Sequence, residues 1–461
     1  MIQRLNKLTL WATTLLAIAW IPQQARSLSV KPDRPRLVVV GGGIGGLSSA
    51  YDARHILGDR VDVTVVSANP LFQFTPSNPW VAIGKRKAKD ISIDLAQVLP
   101  RHKVHFQHGL ATKLDPKKQR LFLKDGETID YDYLIIATGP RLDFDAVPGL
   151  KEHGVSVCTT PHAERAAQAL DRVVENPGPI VVGATAGASC FGPAYEYVLL
   201  VRDELKRRGG KELVEACPMT LVTSEPYVGH LGLEGVGESG KLMPRILDQY
   251  GIAHRSNTRL VRVTKDHVSV EHVTEAGKVD KKETIPSKLT MFIPRFRGHD
   301  VWKHVPGLTD TNGLIQVNDF QQSVTYPNMF GVGVCSTLPF AADKCPIPIG
   351  VPKTGYMIES MGTAAVQNIG AMLGNADAAL HVKPTLNALC IADFGDTGAM
   401  MLAGPVQKPR QMDWMADGKV ATLAKLAFEQ YFLHKIESGD TDPYYEKYML
   451  HLIGMDRVKK E

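Results

Sequence analysis

The chain is short of most features that mark a specialised class. It has only six cysteines in 461 residues (158, 190, 217, 335, 345 and 390) and no CxxC pair, which excludes a disulfide scaffold and leaves each thiol to be judged singly. It has no dense Lys/Arg block. The 53 basic and 48 acidic residues leave +5 over the whole length, so nucleic acid is not an expected partner. There is no short-period repeat, no low-complexity tract and no expected metal site. What remains is ordinary globular composition, 44% apolar with 41 Gly and 29 Pro, at a length that suits two or three domains.

The first residues read as a separate object. Arg4 and Lys7 precede the apolar stretch Leu8 to Ile21, and Ala25-Arg26-Ser27 places small residues at −3 and −1 of a cleavage after Ser27. That is the order of a secretory signal, and fourteen residues fall short of the about 20 that span a bilayer. An uncleaved extension or a misplaced start codon is the alternative. Cleavage would remove three positive charges and leave +2.

Beyond it, Arg36 to Val40 predicts a buried strand, Gly41 to Gly46 a tight turn, Leu47 to Ile56 a helix and Val61 to Val66 a second strand. Together they make a βαβ unit. Further strands are expected at Tyr133 to Ala137, Pro179 to Gly183, Met219 to Thr223 and Asn328 to Val334. Strands alternating with helices imply doubly wound parallel sheets, and two of them fit the length. Val261 to Pro294 is β-rich, with Lys278 to Glu283 expected as a solvated hairpin tip. After about Thr385 short helical stretches are expected.

Gly41-Gly42-Gly43-Ile44-Gly45-Gly46 satisfies GxGxxG between a strand and a helix. The first glycine permits the turn, the second lets a pyrophosphate approach, and the third lets the helix pack closely. The acidic residue usual at the end of the second strand is absent. Ser67-Ala68-Asn69 stands there, and Ser67 can still hydrogen-bond a ribose hydroxyl. Two segments favour flavin. Tyr131-Asp132-Tyr133-Leu134-Ile135-Ile136-Ala137-Thr138-Gly139 looks like the strand and ATG turn of flavoproteins with two dinucleotide domains, and Asn328-Met329-Phe330-Gly331-Val332-Gly333 resembles their second flavin strand, with Val334 in place of the usual Asp. A second glycine loop is missing: Gly183 to Pro193 lacks GxGxxG and carries Cys190, which disfavours nicotinamide, although Glu225 past the strand Met219 to Thr223 keeps that reading open.

Gly187-Ala188-Ser189-Cys190-Phe191-Gly192-Pro193, Phe72-Gln73-Phe74-Thr75-Pro76-Ser77-Asn78-Pro79-Trp80, Ser224-Glu225-Pro226-Tyr227-Val228-Gly229-His230 and Pro352-Lys353-Thr354-Gly355-Tyr356 closely resemble bacterial sulfide:quinone oxidoreductases, from about Arg36 to Val458. The resemblance implies FAD, hydrogen sulfide and a membrane quinone. It implies an α/β fold of two Rossmann-like domains, FAD-binding at 36–145 and 310–385 and the second at 146–309, after a signal-like extension at 1–35 and followed by amphipathic membrane-binding helices at 386–461. It also implies monotopic attachment to the cytoplasmic membrane. The signal-like start puts that attachment on the periplasmic face, and a homo-oligomer is compatible.

By motif match, Cys190 and Cys390 would form the redox bridge that sulfide attacks, with Cys158 nearby. His162, His230 and Glu196 would handle protons, the histidines because imidazole titrates near neutrality. Flavin contacts fall on Gly41, Gly42, Gly43, Ile44, Gly45, Ser67, Ala68, Ala111, Thr138, Gly139, Val334, Lys353, Gly355 and Lys425, and quinone contacts on Ile391, Phe428 and Tyr445. Ile391 stands where close relatives have Phe. Glu196 has the alternative of pairing at a helix surface, and Cys217, Cys335 and Cys345 that of packing thiols. Ala421 to Lys435 and Tyr444 to Met455 have helical spacing. The 9 Lys/Arg and 9 Asp/Glu from Lys408 onward make any membrane adhesion apolar rather than electrostatic. Three competing readings are the flavoprotein subunit of a sulfide dehydrogenase that donates to cytochrome c, a type II NADH dehydrogenase, and a non-enzymatic module.

Overall fold

A computed structural model describes residues 34–339, 344–374, 381–441, 443, 448 and 454–460, all but Arg34 within the unit Pro35–Glu461. Residues 1–33 of the amino-terminal extension, Tyr445 and most of the expected helix Tyr444 to Met455 lie outside these residues.

Two parallel sheets carry the molecule. In the first, Met329–Gly331, Tyr133–Ile136, Arg36–Val40, Asp62–Ser67 and His105–His108 lie side by side in that order. In the second the order is Ala253–Arg255, Met219–Thr223, Ile180–Ala184 and Leu289–Ile293. The inner strands Arg36–Val40 and Tyr133–Ile136 are near-continuous runs of Val, Leu and Ile, as strands covered on both faces are. Leu37, Val38 and Val39 are buried, and Ile180–Ala184 is buried throughout. A ribbon of Arg141–Asp143 against Arg295–Arg297 joins the segments that leave the two sheets.

The glycine loop opens the helix Ile44–Leu57, which packs along Gly355–Met372. Gly362 permits the approach: a Cβ there would lie 2.7 Å from Ser49 Oγ. Asp52, fully buried in that helix, accepts hydrogen bonds from the hydroxyls of Thr363 and Thr441.

Two expectations need correction. Lys278 to Glu283 is not a hairpin tip. The turn is at 274–278, and the charges run along Val279–Pro286, an edge strand with one neighbour, where solvated side chains suit the unpaired side. The region after Thr385 is not wholly helical either. Ala388–Asp393, Gly398–Gly404 and Met412–Asp417 form a three-stranded antiparallel sheet, and the helix Lys419–Ser438 packs on it. Met and Ala form helices readily by themselves, and cross-strand pairing overrides that local preference here.

Candidate active site

The strand Arg36–Val40 ends at Gly41, whose φ is +127° and whose missing Cβ would lie 2.2 Å from the Ala137 carbonyl oxygen. A Cβ on Gly46 would lie 1.8 Å from the Gly41 oxygen, so the third glycine closes the helix onto its own turn. A Cβ on Gly43 would meet nothing within 4 Å, and that open face is where a pyrophosphate can reach the backbone. The loop borders a cavity of about 560 Å³, within the range of cofactor sites. Gly41, Gly42, Gly43, Ile44, Gly45, Ser67, Ala68, Ala111, Thr138, Gly139 and Val334 all line it, whereas Lys353, Gly355 and Lys425 do not. Ser67 Oγ donates to the Asn69 carbonyl at 2.7 Å, so toward a ribose it is an acceptor. The sequence reading missed His299, Trp302 and Ile358 in the wall. Trp302 Nε1 donates to Thr138 Oγ1 at 3.3 Å, but no motif marks a loop that reaches the ATG turn from so far along the chain.

Next to this cavity, Lys353 precedes the helix Gly355–Met372, which carries Ile358 into the wall. Burial of the Lys353 ammonium lowers its pKa to about 8, partly offset by the nearby Cys335 and Asp310. Thr354 Oγ1 is buried with no hydrogen-bond partner, a polar atom left for a ligand at the helix start. Cys335 is fully buried, and its thiol points at the carbonyls of Ile136 and Val332, both at 3.3 Å, as a packing thiol would.

Where a second dinucleotide loop would stand, the chain does something else. Gly187 donates to the Pro348 carbonyl at 2.7 Å and Gly350 to that of Ala188 at 2.9 Å, which pins the Cys190 loop to the segment leading to Lys353. Glycine is needed on both sides. A Cβ on Gly350 would lie 2.6 Å from Ser189 Cβ, and one on Gly232 would lie 2.5 Å from the Gly350 oxygen. Cys190 then precedes the helix Gly192–Ala216, Cys158 precedes Thr160–Glu175, and Cys390 lies on Ala388–Asp393 opposite Met401. The fold brings these three thiols together: the charge of Cys190 is felt at both Cys158 and Cys390. Burial pushes Cys158 and Cys390 up to about 12 and Cys190 to about 11. Cys190 and Cys390 are both in the thiol form, so the bridge implied for them is not formed in this structure.

Glu196 is not on a helix surface. It is buried and ion-paired with the equally buried Lys425, and it accepts the backbone N–H of Asp393 at 3.0 Å. Burial raises its pKa, with Lys425 opposing. Both Glu196 and Lys425 act on Cys390, the first disfavouring and the second favouring its thiolate. His162 and His230 do not titrate near neutrality, because burial lowers both to about 4. His162 packs against Phe144 and His230 against Tyr227, and Nδ1 of each is buried without a partner. Glu225 is wholly buried and accepts hydrogen bonds from Tyr195 Oη and Thr223 Oγ1, both at 2.7 Å, and from the Leu231 N–H at 2.6 Å. With these bonds made inside the protein, it is not a ribose ligand.

A family model described as pyridine nucleotide-disulphide oxidoreductase matches residues 35–354. The sulfide-quinone reductase of Aquifex aeolicus (strain VF5) is 40% identical over 419 residues, covering 90% of this chain and 94% of that protein. This chain belongs to the sulfide:quinone oxidoreductase family. Its cofactor is FAD, and the open Gly43 face and the lined cavity fit one. The solved structure of the Aquifex aeolicus sulfide:quinone oxidoreductase superposes with a TM-score of 0.87 at 39% identity, over 92% of this chain and 97% of that one. NDH2 from Plasmodium falciparum, solved with NADH, shares the fold at a TM-score of 0.69 and 12% identity, over 92% of this chain and all of that one.

In this family member the residues matched to quinone contacts sit on two elements. Phe428, on Lys419–Ser438, is half-buried and packs against Phe74 and Phe432, each with ring centroids 5.8 Å away. Ile391 lies on the strand beside Cys390, opposite Met400. On the same helix Val420 and Leu423 are 69% and 67% exposed, and Trp414 on the adjoining strand is 45% exposed. Among the described residues no helix is long and apolar enough to cross a membrane.

Proposed function

We propose that this protein oxidises hydrogen sulfide at Cys190 and Cys390 and passes the electrons to a membrane quinone. One observation carries the reading: three partly buried cysteines from separate segments share one neighbourhood, and the loop of one of them, Cys190, is bonded to the chain that leads into the flavin cavity wall. In the working cycle the pair starts oxidised. Hydrosulfide attacks the Cys190 sulfur, a new S–S bond forms there, the bond to Cys390 breaks, and Cys390 leaves as a thiolate with the electron pair. For each further turn the persulfide sulfur on Cys190 and the Cys390 thiolate would join again as two electrons leave to the acceptor, and the next hydrosulfide would open that bond, adding one sulfur per two electrons until polysulfide departs, with Cys158 as a neighbouring thiol for sulfur in transit. The flavin, when bound, supplies the two-electron acceptor for sulfur and the donor for quinone.

The remaining work falls to this chain's side chains. A buried thiolate is costly, and Lys425 is the cation beside Cys390 that offsets the cost. Glu196 holds that cation, and taking up a proton on Glu196 would free the Lys425 charge for the sulfur. His162 and His230, neutral at working pH, suit hydrogen bonding to an incoming sulfide better than storing a proton. Phe428 and Ile391 would flank the quinone ring. The exposed Trp414, Val420 and Leu423 would enter one leaflet, consistent with monotopic attachment and with a periplasmic location if residues 1–27 are a signal.

Anaerobic titration with sulfide and separately with NADH, following flavin absorbance, tests the reading. Sulfide should bleach the flavin and NADH should leave it oxidised. Bleaching by NADH alone would return the protein to the dehydrogenase reading.

A further inference from the structure

A second cavity, of about 300 Å³, gathers Arg54, Arg101, His102 and Lys103, but three of these bases already answer groups of the protein, and Lys103 and Arg54 share Asp59. Arg54 donates to the Val61 carbonyl at 3.0 Å and His102 Nε2 contacts that of Glu437 at 2.9 Å. The more telling cluster surrounds Trp80. This ring is fully buried, and the cations of Lys85, Arg86 and Lys425 lie 4.6, 4.9 and 5.0 Å from its centroid. Its Nε1 donates to Asp393 Oδ2 at 2.8 Å, and Lys85 Nζ reaches the same oxygen at 2.9 Å. Thr422 Oγ1 and the Gly395 N–H hold the other oxygen at 2.9 and 3.1 Å. Asp393 is wholly buried, three residues beyond Cys390 on the same strand, and its own N–H holds Glu196.

The Phe72–Trp80 run is thus tied by separate bonds to the segments that carry Cys390, Cys158 and Lys425. Asn78 accepts from Thr160 Oγ1 at 3.1 Å, next to Cys158, while Ser77 donates to Glu429 at 2.6 Å on the helix of Phe428 and Lys425. Arg86 closes the arrangement with an ion pair to Glu429 at 3.0 Å. We propose that Trp80, Asp393 and Lys85 are positioning residues that hold the Glu196–Lys425 pair against Cys390, and that the charges of Asp393 and Lys85 set the pH at which that thiol ionises. The charged and titratable groups facing Cys390 are Cys190, Glu196 and Lys425, and behind them stand Asp393, Lys85, Arg86 and Glu429. The proposal rests on the sulfide reading for its purpose, but its test uses no sulfide.

The test is the alkylation rate of Cys390 by iodoacetamide in the reduced holoprotein, followed by peptide mass spectrometry across pH. Below the midpoint this rate tracks the thiolate fraction. Lys85→Met removes a partly exposed cation and should slow alkylation at fixed pH by about threefold, half a pKa unit. Asp393→Asn removes an anion and should speed it by a similar factor. Trp80→Phe keeps a ring for the cations but loses the indole donor, and should broaden the effect of either change. A purely structural role would move both charge variants in the same direction or neither, and that result overturns the proposal. Should Asp393→Asn fail to fold, an unchanged profile in Lys85→Met alone is enough to overturn it. Opposite shifts in the two charge variants, with a natural protein whose flavin sulfide fails to bleach in the titration above, would sink the sulfide reading and leave this one standing.

Discussion

The two parallel sheets are built alike and used in opposite ways. Each presents a strand, a glycine-containing turn and a helix. After Arg36–Val40 the turn stays open, with nothing facing Gly43, while after Ile180–Ala184 the turn is bonded shut by Pro348 and Gly350 and carries a cysteine. The acidic position is reversed as well. The first sheet ends in Ser67 at the cavity wall, and the second has an acid, Glu225, turned inward to three protein donors. A dinucleotide-type scaffold therefore decides where a loop sits, and contacts outside the unit decide whether a cofactor or a thiol occupies it.

The sharpest way to break the comparison is to disable each turn by its own chemistry. Cys190→Ser and Cys390→Ser should each bind FAD and lose sulfide-driven flavin reduction by more than about 100-fold, roughly 2.7 kcal/mol of barrier. Stopped-flow bleaching measures this, and retention within about tenfold would refute the paired-cysteine chemistry. The first turn should fail differently. Gly46→Ala must displace the Gly41 carbonyl and should yield flavin-free, less stable protein, whereas Gly43→Ala meets no protein atom and should keep its melting temperature while binding FAD more weakly. Flavin content and thermal melts of the two variants separate strain from ligand exclusion.

A smaller effect is expected at the acceptor end. Phe428→Ala should raise the quinone KM about tenfold and leave the sulfide half-reaction nearly unchanged, since the ring is matched only to the second substrate. Normal quinone kinetics in this variant would place the acceptor elsewhere and favour a cytochrome partner.

How legible these parts were follows from the range of the interactions that make them. The strand Met219–Thr223 has the predicted bounds, and the glycine loop and its helix were readable, because periodicity and a local turn determine them. The antiparallel sheet after Ala388 was not, since its pairing is set by cross-strand partners rather than by local pattern. Among site residues, the cavity-lining glycines were readable from a motif. The burial of Glu196 and Glu225 was not, because it depends on Lys425, Tyr195 and Leu231, which only the fold brings close. The low pKa of His162 and His230 has the same origin: a side chain's type gives its ordinary pKa, and packing gives the shift.

The last and smallest effect concerns Glu225 and stability. Burial raises its pKa from 4.5 to about 7, although three donors favour the charged form. The folded state thus binds a proton that the unfolded chain has already released between these values. Its contribution to stability is complete below about 4.5 and is lost as pH rises through about 7, on the order of 3 kcal/mol in all. Glu225→Gln cannot titrate. Its amide would face donors on every side, so the variant should be less stable at acidic pH, and the gap to the natural protein should narrow as pH rises to 8. Glu196 and Asp52 are also raised by burial and will tilt both curves. The difference between natural protein and variant, read from urea melts at each pH, isolates Glu225. A gap independent of pH would mean that the carboxylate stays ionised, and that the three hydrogen bonds outweigh burial in this second sheet.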